Sequence, residues 1–261
     1  QMIFPWRHAH SDWAIIYQTD VLMNSGRALV LDVIKPRRAK ALLDLAEELE
    51  TKAFGAAPAV TDTISPYGLL YWIVKNATAG FNGSVPTGHT TVGNINPTTH
   101  GRWKNYTATY SGVITKSGAI KAMRKAKRKC GFVSPITVDD FRGAVGSRYR
   151  VYTNETAIGE LEDIGEGQNE SLGKDVASMD GTMVFRGHPI IWIPKLDDDT
   201  ENPLYGVDHS VFYPICLKGD YLRESEAQRA PNQHNVFQIF CDLSYNFACV
   251  DRRRNWVVYK P

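Results

Sequence analysis

The segment Val236–Cys249 constrains this chain more than any other. Phe237, Ile239, Cys241, Leu243, Tyr245, Phe247 and Cys249 fall on one parity, with Gln238, Asp242, Ser244 and Asn246 between them. Successive side chains of a strand point to opposite faces, so this period of two predicts a long strand or strand pair with one buried and one wet face. Such a strand needs neighbours. Strands are expected at 149–152, 183–185, 189–193 and 210–217, which makes the second half of the chain β-rich.

The first half mixes in helices. Pro36 suits the first turn of a helix, and Ala39, Leu42, Leu43, Ala46, Leu49 and Ala53 are read as its apolar stripe before Gly55 ends it. Lys40 with Asp44 and Glu48 with Lys52 add spaced charge pairs. A second helix is predicted over 117–130, where Ala119, Ala122, Met123, Ala126 and Cys130 share a face. Lys121, Arg124, Lys125, Lys127, Arg128 and Lys129 cover the rest and form the strongest charge cluster in the chain. A third, acidic helix is expected after a cap at Thr153 or Asn154, with Ala157, Ile158, Leu161 and Ile164 inward. Before the first helix, Trp13, Ile15, Ile16, Tyr17, Val21 and Leu22, then Asn24, Ser25 and Gly26, then Leu29, Val30, Leu31 and Val33 read as a β-hairpin. Both of its arms carry apolar residues on both parities, and a two-stranded hairpin is marginal alone. It therefore needs a surface to lie on. Residues 55–110 combine Gly, Pro, Thr and Asn with many aromatics, and are expected to form an ordered, mostly irregular excursion.

At 261 residues, with 43% hydrophobic and 22% charged, the chain can bury a large core as one domain with projecting parts. No run reaches the length of a membrane span, and the start lacks the order of a signal peptide, so synthesis in a cytoplasm is expected. Opening on Gln1, the chain is expected to be processed or to lack its beginning. A net charge of +2, from 30 basic and 28 acidic residues, is too balanced for a dedicated nucleic-acid binder. Cys130, Cys216, Cys241 and Cys249 form no CxxC pair and are expected to be reduced core residues.

The residues do not spell out a reaction. His8, His10 and Asp12 could share one face of a strand as metal ligands, but no supporting pair follows at a useful spacing. Asp197, Asp198, Asp199 and Glu201 lack the glycine and terminal glutamate of a calcium loop and read as a solvated turn. His209 and Ser210 are adjacent, and neighbours on a strand point apart, which is wrong for a base and its nucleophile. No catalytic residue, metal or cofactor is expected. The basic helix has two readings: a core helix with solvated or paired cations, or a nonspecific phosphate-facing surface. Arg252, Arg253 and Arg254 invite the same two, and guanidinium groups also suit carboxylates across a subunit boundary, the role favoured for them.

Several strings, taken in order, resemble the major capsid proteins of tailed bacteriophages with the Hong Kong 97-like fold. They are the hairpin ending at Ile34, LLDLAEELETKAFG from Leu42, PYGLL from Pro66, TKSGAIKAMRKAKRKC from Thr115 and RYRVYTNETAIGELEDI from Arg148. FRGHPIIWIPKL from Phe185 and PICLKGDYLRE from Pro214 continue the order, and RWKNYTATY, LGKDVASMDG, APNQHNVF and CVDRRRN add local texture. The resemblance implies an α+β capsid fold with these parts: a remnant of an amino-terminal arm (1–11), an extension-loop hairpin (12–34), a peripheral domain with a basic spine helix and the excursion (35–134), an axial domain (135–213) and return strands (214–261). The stretch 76–110 has no counterpart in the simplest members and is expected to be a local insertion.

What the resemblance implies about function is a non-enzymatic shell subunit that assembles into hexamers and pentamers. The shell would enclose double-stranded DNA by nonspecific contact in a virion, with portal, scaffold or decoration proteins as further partners. A nanocompartment shell of the encapsulin kind is the alternative, and a nucleic-acid-binding enzyme a more distant one. Trp13, Ile15, Tyr17, Leu29 and Leu31 are then the expected extension-loop contacts between subunits.

Overall fold

The computed structural model describes residues 2–16, 34–131, 148–169, 183–233 and 235–261. In chain order these give β1 (Arg7–Ile16), α1 (Ile34–Phe54), α2 (Leu69–Trp72), β2 (Gly80–Gly83), β3 (Asn105–Thr109), α3 (Ala119–Lys129), β4 (Tyr149–Thr153) and α4 (Glu155–Asn169). Then follow β5 (Val184–Phe185), β6 (His188–Trp192), β7 (Leu204–Asp208), β8 (Phe212–Cys216), β9 (Arg223–Glu224), β10 (Gln228–Arg229), β11 (Val236–Cys249) and β12 (Trp256–Tyr259). Short 3-10 turns occupy Pro194–Asp198 and Arg252–Arg254.

Seven strands form the central sheet in the order β2-β3-β12-β7-β4-β6-β5. Pairing is parallel between β12 and β3 and between β4 and β6, and antiparallel elsewhere. Both faces are covered, and strand alternation assigns each side chain to its layer. Trp256 and Val258 of β12, Leu204 of β7, Tyr149 and Val151 of β4 and Tyr106 and Ala108 of β3 pack with Ala119, Met123 and Ala126 of α3 and Ala157 and Leu161 of α4. The intervening Val257, Tyr259, Tyr205 and Val207 pack the opposite way, with Leu69, Tyr71 and Trp72 of α2 and Leu243, Tyr245, Phe247 and Cys249 of β11. Large side chains buried this completely contribute about 1.5–3 kcal/mol each.

Close approach at the centre of the sheet depends on one glycine. Gly206 lies opposite Trp256, and a Cβ there would meet the indole at 1.9 Å. Only a residue without a side chain lets the tryptophan lie flat across the neighbouring strand.

The second sheet is organised by β11, which pairs antiparallel with β1 along one edge from Arg7↔Tyr245 to Ile16↔Val236. On its other edge it pairs in series with β8, β9 and β10. The expected hairpin partner of β1, and with it residues 17–33, lies outside the described residues.

Three expectations shift. The helix at α1 is where periodicity places it, and Lys40–Asp44 and Lys52–Glu48 pair at 2.9 and 3.6 Å. Its buried stripe, however, is Ala41 and Leu45, with Leu42, Leu49 and Ala53 half-buried, while Ala39, Leu43 and Ala46 are exposed. A helix with apolar residues on two stripes does not say which one faces inward. The excursion is also more than irregular: residues 105–109 form β3, an interior strand of the main sheet between β2 and β12. Of the four cysteines, Cys130, Cys241 and Cys249 are buried, but Cys216 is exposed near the end of edge strand β8. Burial pushes the Cys249 thiol up to about 12, so it stays protonated and inert.

Candidate functional site

The His, Ser and Asp candidates of the sequence each have partners within the chain. His209 Nε2 lies 2.7 Å from Tyr152 Oη, whereas Ser210 Oγ donates to Asp208 Oδ1 at 2.6 Å. The adjacent pair thus points to separate partners. Burial lowers the His209 pKa and favours its neutral form. His8 faces Asp242 at 3.5 Å and Ser244 Oγ at 3.2 Å across β11, with the His10 ring 6.3 Å away. Among the described residues, no three His, Cys, Asp or Glu side chains gather closely enough to hold a metal.

The acidic turn is not simply solvated. Asp197 accepts from the Glu155 backbone N–H at the start of α4 and from Trp192 Nε1, Asp198 pairs with Lys195, and Lys75 bridges Asp199 and Glu201. A cleft of about 700 Å³ is lined by Ile95, His100, Arg102, Trp103, Val250, Asp251 and Arg253, a set without a nucleophile.

The three consecutive arginines separate sharply. Arg252 is fully buried, and its guanidinium donates to the backbone oxygens of Trp72, Trp103 and Gly83 and to Asn105 Oδ1. It ties the excursion to the segment between β11 and β12, so the expected intersubunit role is corrected to an internal one. Burial lowers its pKa to about 10, which still leaves it charged at neutral pH. Arg254 Nε pairs with buried Asp208 at 2.7 Å, also within the chain. Arg253 stacks over the Phe81 ring at 3.9 Å and lines the cleft. Nothing in a run of like residues distinguishes them, because a 3-10 turn sends each side chain in its own direction.

On α3, Lys121, Arg124, Lys125, Arg128 and Lys129 are exposed. Lys127 is the exception: it is buried, donates to the Arg186 carbonyl at 3.3 Å, and has its pKa lowered by burial and then by Arg186. It is therefore corrected out of the solvent-facing cluster. The neighbouring acid Glu160 accepts the Ile114 N–H at 2.7 Å. None of the five exposed cations has a carboxylate partner among the described residues.

The feature that asks for a partner is the arm made by β1 and β11. From Tyr245 to Cys249 every β11 residue is buried, Cys241 and Leu243 are buried in alternation, and Val236–Phe240 is only half-buried throughout. Yet Val236, Phe237, Ile239 and Phe240 are apolar. At about 3.4 Å per residue the strand spans roughly 45 Å, and its burial declines along that length as it leaves the body. Trp13 was expected to be an intersubunit contact, but it is 9% exposed on β1, opposite Ile239, covered by its own chain. Ile15 is half-buried on the same parity and Ile16 is 40% exposed. Tyr17, Leu29 and Leu31 lie outside the described residues. Along β1 the outer edge has no paired strand among the described residues, and Arg37 Nη1 donates to the Ala14 carbonyl at 3.0 Å.

No protein-family model matches this sequence, and no curated protein matches it. Solved structures do match its fold. A chain of the cyanophage A-1(L) capsid asymmetric unit superposes with a TM-score of 0.65 at 12% identity, over 97% of this chain and 76% of that one. The capsid of an empty GTA particle gives 0.56 at 11% identity, over 98% and 74%. The SrpI encapsulin of Synechococcus elongatus PCC 7942 gives 0.54 at 11% identity, over 97% and 73%. All three neighbours are shell proteins.

Proposed function

We propose that this chain, which has the α+β Hong Kong 97-like capsid fold, is the major shell subunit of a tailed-phage capsid and has no catalytic role. The single observation that supports this most is the arm: a strand anchored in the core at one end and apolar but half-open at the other. Apolar area that one chain leaves open is covered by copies of itself, so burial at the arm couples to assembly. The exposed Ala39, Leu43 and Ala46 stripe on α1 adds a second such surface. Many modest contacts then hold a closed shell together without one strong interface.

In this reading the central sheet with α3 and α4 is the domain at the local symmetry axis. The β1–β11 arm and α1, the longest described helix at 21 residues, form the peripheral part, so α1 rather than α3 takes the place of the spine. The contents are double-stranded DNA, held by confinement and nonspecific contact, consistent with a net charge of only +2. Portal, scaffold or decoration proteins would bind the assembled shell. A second reading, an encapsulin-like compartment, is favoured by the 0.54 likeness to SrpI.

The test is to express the chain and examine it by negative-stain electron microscopy and sedimentation. Closed shells, hexamers or pentamers are expected. A monomer at every salt and protein concentration overturns the proposal. Particles recovered with a specific enzyme instead of nuclease-protected DNA would establish the compartment reading.

A further inference from the structure

The two helices on one face of the central sheet carry opposite charge and do not neutralise each other. On α3, the exposed Lys121, Arg124, Lys125, Arg128 and Lys129 follow the spacing i, i+3, i+4, i+7, i+8, a single stripe. On α4, Glu155, Glu162 and Asp163 are exposed at i, i+7, i+8. Both helices pack into the same apolar layer through Ala119, Met123 and Ala126 on one and Ala157 and Leu161 on the other. Between them, Glu160 is held by the Ile114 N–H, so the inner flank is already satisfied. Neither stripe has an opposite charge as a partner among the described residues, and each is the complement of the other.

We propose that the basic stripe of α3 docks against the acidic stripe of α4 on the next copy of this chain. This rests on the shell reading above and adds the surface and the symmetry. A two-fold contact would pair α3 with α4 and α4 with α3 in one closed dimer, using up both stripes and leaving neither to extend a shell. A head-to-tail contact brings α3 to α4, and head-to-tail contacts close into rings. Charge pairing of this kind fixes orientation and register more than affinity, and rejects the wrong juxtaposition. A polyanion on α3 would leave the α4 stripe without a role, which favours α4 as the partner.

The experiment reverses charge in the middle of each helix, leaving caps and helix ends intact. One variant carries Lys121→Glu, Arg124→Glu and Lys125→Glu; another carries Glu162→Lys and Asp163→Lys; a third carries all five. Far-ultraviolet circular dichroism and thermal unfolding confirm that each is folded. Either single-helix variant should need more than about tenfold higher concentration to assemble, and the combined variant should recover. An equimolar mixture of the two single-helix variants should form rings of even number only, because alternating copies cannot close an odd ring without a like-charge seam. Raising salt from about 0.05 to about 0.5 M should weaken wild-type rings and relieve the defect in the variants.

Undiminished assembly by the α3 variant, or no rescue by the combined variant, overturns this inference while leaving the shell reading intact. Loss of co-purifying nucleic acid with normal assembly overturns it in favour of a polyanion surface. A wild-type chain that never assembles overturns both.

Discussion

The central sheet and the β1–β11 arm use the same kinds of residue to opposite ends. In the sheet, β12 and β7 are buried at every position, and Arg252 enters with four oxygen acceptors, while the buried Tyr205 hydroxyl has no hydrogen-bond partner among the described residues. In the arm, β11 begins with five half-buried residues and reaches full burial only near Cys249. Both regions are rich in aromatic and β-branched side chains. What differs is whether the chain itself supplies the second layer. A subunit built this way can fold around its sheet and leave its arm to be completed by association.

The strongest way to break that contrast is at Arg252. Arg252→Met removes the donor from four buried acceptors, and should lower the unfolding free energy of the dissociated chain by about 3–5 kcal/mol in urea titration. Little change would mean that the body does not depend on its internal polar ties. Next comes Gly206→Ala, whose Cβ collides with Trp256; a loss of about 1–3 kcal/mol is expected, with a weakened near-ultraviolet tryptophan signal.

On the arm the order of effects should invert. Phe237→Ser with Ile239→Ser should change the stability of the dissociated chain by less than about 1 kcal/mol per site while abolishing shells in electron micrographs. If the chain unfolds instead, the arm belongs to its own core. The smallest effect concerns acid. Burial depresses the folded pKa of His209, so the unfolded chain binds that proton more readily, and stability is retained above about 6.5 and falls as pH drops below it. His209→Gln should flatten that part of the pH–stability curve and leave assembly at neutral pH unaltered.

How much of this could be read from residues alone varied with the kind of signal. The alternation at Val236–Cys249 gives the long strand with its correct ends, and Asn154 caps α4 by accepting the Ala157 N–H at 3.1 Å. Those signals are local. β7 and β12 are not visible in the same way: LYGVD and WVVY are short runs buried on both faces, and such strands have no alternation to detect. The α1 stripe was displaced by one or two residues because apolar side chains occupy two faces of the helix. At the candidate surfaces, the exposed α3 cations follow from helical spacing, but Lys127 does not, since its burial depends on the distant Arg186 turn. Trp13 looked partner-seeking because β11, which lies opposite it, is more than two hundred residues away in sequence.

Because β11 runs without a break from between the packed layers out to the tip, there is no hinge between the two regions. A pull on the tip loads the antiparallel β1–β11 ladder lengthwise, so its hydrogen bonds share the force in shear instead of opening one after another. The subunit should therefore transmit mechanical stress from its periphery directly to its centre, and stiffness should be a property of the linked lattice rather than of the separate pieces.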